Sequence, residues 1–157
     1  SDVRLLNLQI AEALAKLGDA DAFEAIRAAL YPSRPEELEA AALAVQIIGE
    51  VGDRRSIDQL IYMAERGETE EEVLPAEIRL AAAASLAQLG LPRGDFIADE
   101  YAADEMPAIR AQAAYVYGQV GSDRALERLE GMLDDPSPIV AVSAAAAIVT
   151  ALSDGFR

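Results

Sequence analysis

This sequence predicts an all-α fold, an α-solenoid of antiparallel helix pairs, and three observations carry that prediction. A thirteen-residue pattern, IRAQAAYVYGQVG at 109–121, returns three more times without gaps: LNLQIAEALAKLG at 6–18, AAALAVQIIGEVG at 40–52 and IRLAAAASLAQLG at 78–90. The closing glycines, Gly18, Gly52, Gly90 and Gly121, stand 34, 38 and 31 residues apart, a period that belongs to stacked helical repeats. Small and apolar residues keep the same columns in every copy, so each helix pair has more apolar surface than it can bury alone and neighbours have to stack.

The first helix begins near Val3-Arg4, after Ser1 and Asp2 as capping residues, and carries Leu6, Ile10, Ala13, Leu14 and Leu17 as one apolar stripe. Gly18 stops it in the left-handed conformation, and Asp19 or Asp21 starts the next. Residues 22–30 form an outer helix buried by Phe23, Ile26 and Leu30, and Tyr31-Pro32-Ser33-Arg34-Pro35 breaks it, since proline cannot continue a helix. The second inner helix runs over 36–51 with acids at its positive end. The next outer helix, 56–66, is expected to bury Ile57, Leu60, Ile61 and Ala64. An acidic insertion bearing Glu68, Glu70, Glu71 and Glu72 accounts for the longest interval between glycines and reads as a solvated helix start.

The third inner helix spans 75–89. The outer helix after it, 95–103, is the weakest, because Phe96, Ile97 and Tyr101 are its only large apolar residues and Asp99 falls where other repeats have Ile26, Leu60 and Leu129. It should be short or displaced. Met106-Pro107 opens the fourth inner helix, and 125–133 closes the pair through Leu126, Leu129 and Leu133. Residues 139–152 form a fifth inner helix, in which Ser153 takes the place of the closing glycine. Ala44, Ala82 and Ala113 share one column that lets inner helices approach closely. Gly49 and Gly118 serve the same end, at a helix-propensity cost of about 1 kcal/mol each.

Composition narrows the function. Of 157 residues 52% are apolar and only 5% aromatic, none of them Trp, which suits helices packed along small side chains. The net charge of −15, from 28 acidic and 13 basic residues, disfavours nucleic acid and anionic lipid as partners. No run reaches the ~18 apolar residues of a spanning helix, so no membrane insertion is expected. The sequence has no His and no Cys, so it lacks the commonest general base, the commonest metal ligand and any thiolate. Glu12 and Glu50 face one surface from adjacent repeats, but glycosidase-type chemistry requires one desolvated acid, and this surface is open. The expectation is a protein without catalytic residues, metal or cofactor. The missing cysteines permit a reducing compartment without defining one, so localisation stays open.

The module Met106-Pro107-Ala108-Ile109-Arg110, Ala113-Ala114, Tyr117-Gly118, Val120-Gly121, and less completely Pro75-Ala76-Glu77-Ile78-Arg79, Ala82-Ala83, Leu86-Ala87, Leu89-Gly90, resembles the HEAT-like repeat of the phycobilin-lyase type. That resemblance covers nearly the whole chain. It implies a HEAT-like or armadillo-type superhelix, one domain over 1–157 of four to five repeats, with the Arg-bearing helices on the concave side. Asn7 and Ala41 replace the arginine in the first two repeats, and Leu91 replaces the turn acid in the third. Any Arg-to-Asp ladder along the stack should therefore be confined to Arg79 and Arg110.

Helical geometry aims the remaining inner-helix positions at the concave side. These are Gln9, Glu12 and Lys16, then Gln46 and Glu50, then Leu80, Ala84 and Gln88, then Gln112, Tyr115 and Gln119. Amides offer donors and acceptors without a charge to desolvate, and Tyr is enriched at binding hot spots. Gln9, Glu12, Gln46, Glu50, Gln88, Gln112, Tyr115 and Gln119 are thus the expected site for a protein partner, and the expected function is a non-enzymatic interaction scaffold. The resemblance allows a second function, a lyase-like or chaperone-type subunit acting on phycobiliproteins. Both terminal helices lack an outer mate on one side and should expose Leu, Ile or Val, which points to a piece of a longer array or to end-to-end pairing of copies.

Overall fold

Gly18, Gly52, Gly90 and Gly121 all take positive φ, at 90, 73, 90 and 66°, a left-handed conformation that glycine adopts without a Cβ penalty. Each ends an inner helix at the expected place. The computed structural model describes residues 2–65 and 74–154, so the acidic insertion with Glu68, Glu70, Glu71 and Glu72, and the Ser1 cap, lie outside the described residues. Within them the elements in order are α1 (Asp2–Lys16), α2 (Ala20–Ala28), α3 (Leu38–Val51), α4 (Ile57–Ala64), α5 (Ala76–Gln88), α6 (Asp95–Tyr101), α7 (Pro107–Val120), α8 (Asp123–Met132) and α9 (Pro138–Asp154). The described residues form an all-α fold, an α-solenoid of stacked helix pairs. Asp19 caps α2 by accepting from Ala22 N at 3.0 Å, and Ser122 caps α8 by accepting from Ala125 N at 3.1 Å.

The odd-numbered helices stack on one another, α1 on α3, α3 on α5, α5 on α7 and α7 on α9, and the even-numbered helices pack against them from one side. Small residues set the spacing. Ala44, Ala82 and Ala113 are fully buried in their shared column. A Cβ on Gly49 would lie 2.7 Å from Ser85 Oγ, and one on Gly118 would lie 2.8 Å from Ala147 Cβ. Ser85 Oγ also donates to Val45 O at 2.7 Å, stitching α5 to α3. The helix at the centre, α5, is buried on two sides: Ile78, Ala82 and Leu86 join one core with α1 to α4, while Leu80, Ala83 and Ala84 join a second with α6 to α9.

Several sequence expectations need correcting. In α1 the stripe Leu6, Ile10, Ala13, Leu14, Leu17 is exposed, and the helix buries Leu8, Ala11 and Ala15 instead, because α2 and α3 both lie on that side. In α4, Met63 is buried and Ile61 is exposed; in α8, Met132 is buried and Leu133 exposed. The helix α6 is the shortest α-helix described, as expected. Its Asp99 is half-buried and accepts hydrogen bonds from the Tyr117 hydroxyl and from Arg124. Tyr117 stands where the other repeats have Leu14, Ile48 and Leu86, so the polar substitution on one helix is answered by a hydroxyl on its neighbour. Burial pushes the Tyr117 hydroxyl up, and the bond to Asp99 adds to it.

The Arg-to-Asp ladder is not confined to Arg79 and Arg110, and Arg79 takes a glutamate rather than an aspartate. Arg110 holds Asp135 with two bonds of 2.9 Å, and Arg79 pairs with Glu100 at 2.8 Å. A third rung, Arg27 to Asp53 at 2.7 and 2.9 Å, reaches the turn acid from an outer helix rather than an inner one. Burial alone would raise the Asp53 carboxyl, but the bonds from Arg27 and Ser56 outweigh it and leave it below the ordinary aspartate range.

The break before α3 is held by Glu37, which accepts from Ser33 N at 2.7 Å, from Arg34 Nη2 at 3.1 Å, from Ser33 Oγ at 3.1 Å and from Arg34 N at 3.3 Å. These bonds, the Ser33 backbone first, hold its carboxyl down to about 2. A carboxyl depressed in the folded state adds stability above its unfolded pKa, near 4.3 for Glu, and that contribution is lost as pH falls through the folded value. Asp53, Asp99, Asp135 and Glu12 are lowered as well. Acidification should therefore lower the melting temperature between about pH 4 and 2, against any relief of self-repulsion. Glu37→Gln should flatten that slope. Equal slopes in wild type and variant would remove Glu37 as a contributor.

Candidate functional site: a groove along the inner helices

Counting back from the closing glycines, one column of the inner helices holds Gln9, Leu43, Ala81 and Gln112, the next holds Glu12, Gln46, Ala84 and Tyr115, and a third holds Lys16, Glu50, Gln88 and Gln119. Their spacing of three and four puts them on one helix face. Because α3 and α5 approach at Gly49, these faces join into a groove of about 530 Å³ across α1, α3, α5 and α7. Its lining includes Gln9, Gln46, Gln88, Gln112 and Tyr115, five of the eight residues expected from the sequence. On α5 the lining residues Ala81 and Ala84 occupy columns that carry larger side chains elsewhere.

Several of the polar groups brace the repeats. Gln112 Nε2 donates to Glu77 O at 2.8 Å, tying α7 to α5, and Gln88 Nε2 donates to the Tyr115 hydroxyl at 3.3 Å. Gln46 Nε2 donates to Glu50 at 3.3 Å. Tyr115 is 48% exposed, and its hydroxyl is pushed up by burial and by the Glu50 charge. The charged side chains lining the groove are Glu39 and Glu77, and no cation lines it among the described residues. A ligand seated there meets amides, one phenol, an apolar floor and negative charge.

Glu12, Glu50 and Gln119 do not line the groove. They continue the same helix faces toward the C-terminal ends, where Glu12 is held by Lys16 at 2.7 Å, which lowers its carboxyl. Leu80 does not face the groove either. It is fully buried against the α7 side, in the column of Leu8, because α5 has neighbours on both flanks. Sequence reasoning missed Leu5, Glu39, Ala42, Leu43, Glu77, Ala81 and Ser85, all of which line the groove. The signal was present for most of them: Leu5, Glu39 and Glu77 sit one turn before Gln9, Leu43 and Ala81, and Leu43 and Ala81 share the column of Gln9 and Gln112. Looking for polar groups alone hid the apolar members of the same columns.

Stacked helix pairs, left-handed glycine stops and a groove along one helix layer define the class as a helical-repeat α-solenoid. More particularly, one helix pair of the chain is similar to a known family: the model for the PBS lyase HEAT-like repeat matches residues 8–31, from within α1 through α2 to Tyr31. That match falls on the first repeat, whereas the motif likeness is fullest in the third and fourth. No curated protein matches the chain. Among the described residues no helix is long and apolar enough to cross a membrane.

Proposed function

We propose that the protein is a non-enzymatic interaction scaffold that binds an extended, basic polypeptide segment in the groove along α1, α3, α5 and α7. The observation that carries this is the groove itself, about 530 Å³ with Glu39 and Glu77 as its charged lining and Gln46, Gln88, Gln112 and Tyr115 as hydrogen-bonding groups. Its floor of Ala42, Ala81 and Ala84 leaves room for side chains, while the acids select against anionic ligands. The sequence lacks His and Cys, which supports binding rather than catalysis as its role. A second reading is favoured by the family match alone: a lyase-like or chaperone-type subunit that handles phycobiliproteins. In that case a phycobiliprotein or its bilin should bind, with affinity comparable to or better than that of any basic peptide.

The test is a panel of basic, neutral and acidic peptides measured against wild type and Gln46→Ala/Tyr115→Ala. Both side chains are exposed, so the double variant should melt close to wild type. It should lose about 2 kcal/mol of binding to basic peptides, roughly thirtyfold. Glu39→Gln/Glu77→Gln should weaken binding and flatten its salt dependence. Unchanged affinity in both variants contradicts the groove as the binding site.

A further inference from the structure

One turn before Gln9, Leu43, Ala81 and Gln112, the inner helices carry Leu5, Glu39, Glu77 and Ala108 in a single column. Acids therefore occupy it in the two middle repeats and in neither flanking one. Glu39 and Glu77 are exposed, line the same groove, and make no side-chain hydrogen bond or ion pair among the described residues. Two amides add to this acceptor surface. Gln46 gives its Nε2 to the Glu50 carboxylate and Gln112 gives its Nε2 to Glu77 O. Both partners can only accept, which fixes the orientation of each amide, and neither Oε1 is used by a bond among the described residues. The side chain that brings the most donors together with a positive charge is arginine, whose guanidinium presents them in a planar fork.

The two acids stand at the same position of neighbouring helices, α3 and α5, so the step between them follows the helix spacing. Packed helices lie about 8–10 Å apart, and Gly49 against Ser85 keeps these two in close contact. An extended segment that crosses the helices has few ways to match that step. On a strand, side chains of one face recur at about 6.6 Å, which is too short, and again at about 13 Å, which is too long. On a polyproline II helix every third residue returns to the same side after about 9.3 Å. That advance falls inside the range.

Taking the groove as the binding site, as proposed above, we infer that its ligand is a polyproline II segment with two arginines three residues apart, Arg-x-x-Arg, one guanidinium on Glu39 and the next on Glu77. Ala42, Ala81 and Ala84 in the lining leave room for the segment's backbone. Leu5 and Ala108, uncharged at the flanking positions of the column, end the ladder at two cations.

Synthetic peptides of equal length and charge, carrying two arginines with zero to four residues between them, test the spacing by fluorescence anisotropy. The peptide with two intervening residues should bind about tenfold tighter than those with one or four. Prolines in that gap should tighten it further and glycines loosen it, because proline sets the bound conformation beforehand. Glu39→Gln or Glu77→Gln alone should abolish the preference and bring this peptide down to the affinity of one with a single arginine. Glu127→Gln/Glu130→Gln, at exposed positions of α8, should leave the preference intact. Equal affinity at all spacings, with binding still lost in Gln46→Ala/Tyr115→Ala, overturns the arginine spacing and leaves the groove standing. A preference that survives Glu39→Gln/Glu77→Gln overturns it as well. Peptides that fail to bind, or that bind regardless of Gln46→Ala/Tyr115→Ala, remove the groove reading and the spacing with it.

Discussion

Gly118→Leu is expected to unfold the second half of the stack. A Cβ at this position would stand 2.8 Å from Ala147 Cβ, 2.9 Å from Ala147 Cα and 3.0 Å from Ala147 O. Two of those three atoms are backbone, so no rotamer change relieves the clash, and α7 has to separate from α9. Val140, Ala144 and Ala147, buried at that contact, then lose their cover. Overpacking of this kind costs roughly 1–3 kcal/mol when the core can give way and more when it cannot; here the expected loss exceeds about 3 kcal/mol. Gly118→Ala is the sharper control, because alanine should gain about 1 kcal/mol in a helix and is nonetheless expected to destabilise. Gly131, within α8, has nothing within 4 Å of its added Cβ, so Gly131→Ala should stabilise by about 0.5–1 kcal/mol. Thermal melts of the three variants decide the matter. A stabilised Gly118→Ala would mean that the helix spacing assigned to this column is wrong.

The second large effect is expected at Arg79, which is 1% exposed and the largest fully buried side chain. Its Nε donates to Ala64 O at 3.0 Å, its Nη1 to Glu100 at 2.8 Å and to the Tyr101 hydroxyl at 2.7 Å, and its guanidinium lies 5.6 Å from the Tyr101 ring centre. One side chain thus ties α4, α5 and α6 together. Arg79→Ala removes the charge, leaves a cavity and strips the Ala64 carbonyl of this donor, and the expected loss is about 3–5 kcal/mol. For a chain of this size that is a fall in melting temperature of about 10 °C or more. Arg79→Met refills the space without the charge and should recover part of the loss, since a packed apolar side chain is a tolerable substitute for a buried ion pair. If Arg79→Ala melts within a few degrees of wild type, the guanidinium does not hold the three helices.

Most of the architecture was legible because a repeat writes the same constraint several times. The column of Ala44, Ala82 and Ala113, the glycines at 49 and 118 and the four left-handed stops are each a local rule restated in several places. What repetition does not encode was harder to read. The stripe on α1 announces a face that wants cover, and amphipathicity alone cannot tell whether a neighbour is there to provide it. Asp99 was visible as a polar residue in a core column, but its complement, the Tyr117 hydroxyl, lies on another helix, and only reading the two departures together reveals the pair. Arg27 was missed as a rung because the arginine pattern was sought on inner helices, whereas Asp53 is reached from α2. In the groove, the polar members of each column stood out, and Leu43, Ala81 and the acids Glu39 and Glu77 did not. Those acids are what make the groove lining negative.

A ligand that uses the groove of the inner helices must perturb the residues that line it. Titrating isotope-labelled protein with the tightest basic peptide, and mapping which backbone amides shift, is the decisive measurement. The shifts are expected to cluster on α1, α3, α5 and α7 around Gln9, Gln46, Gln88, Gln112 and Tyr115, with α2, α4 and α8 unperturbed. Shifts concentrated on those outer helices, with the groove residues silent, would contradict that use of the groove.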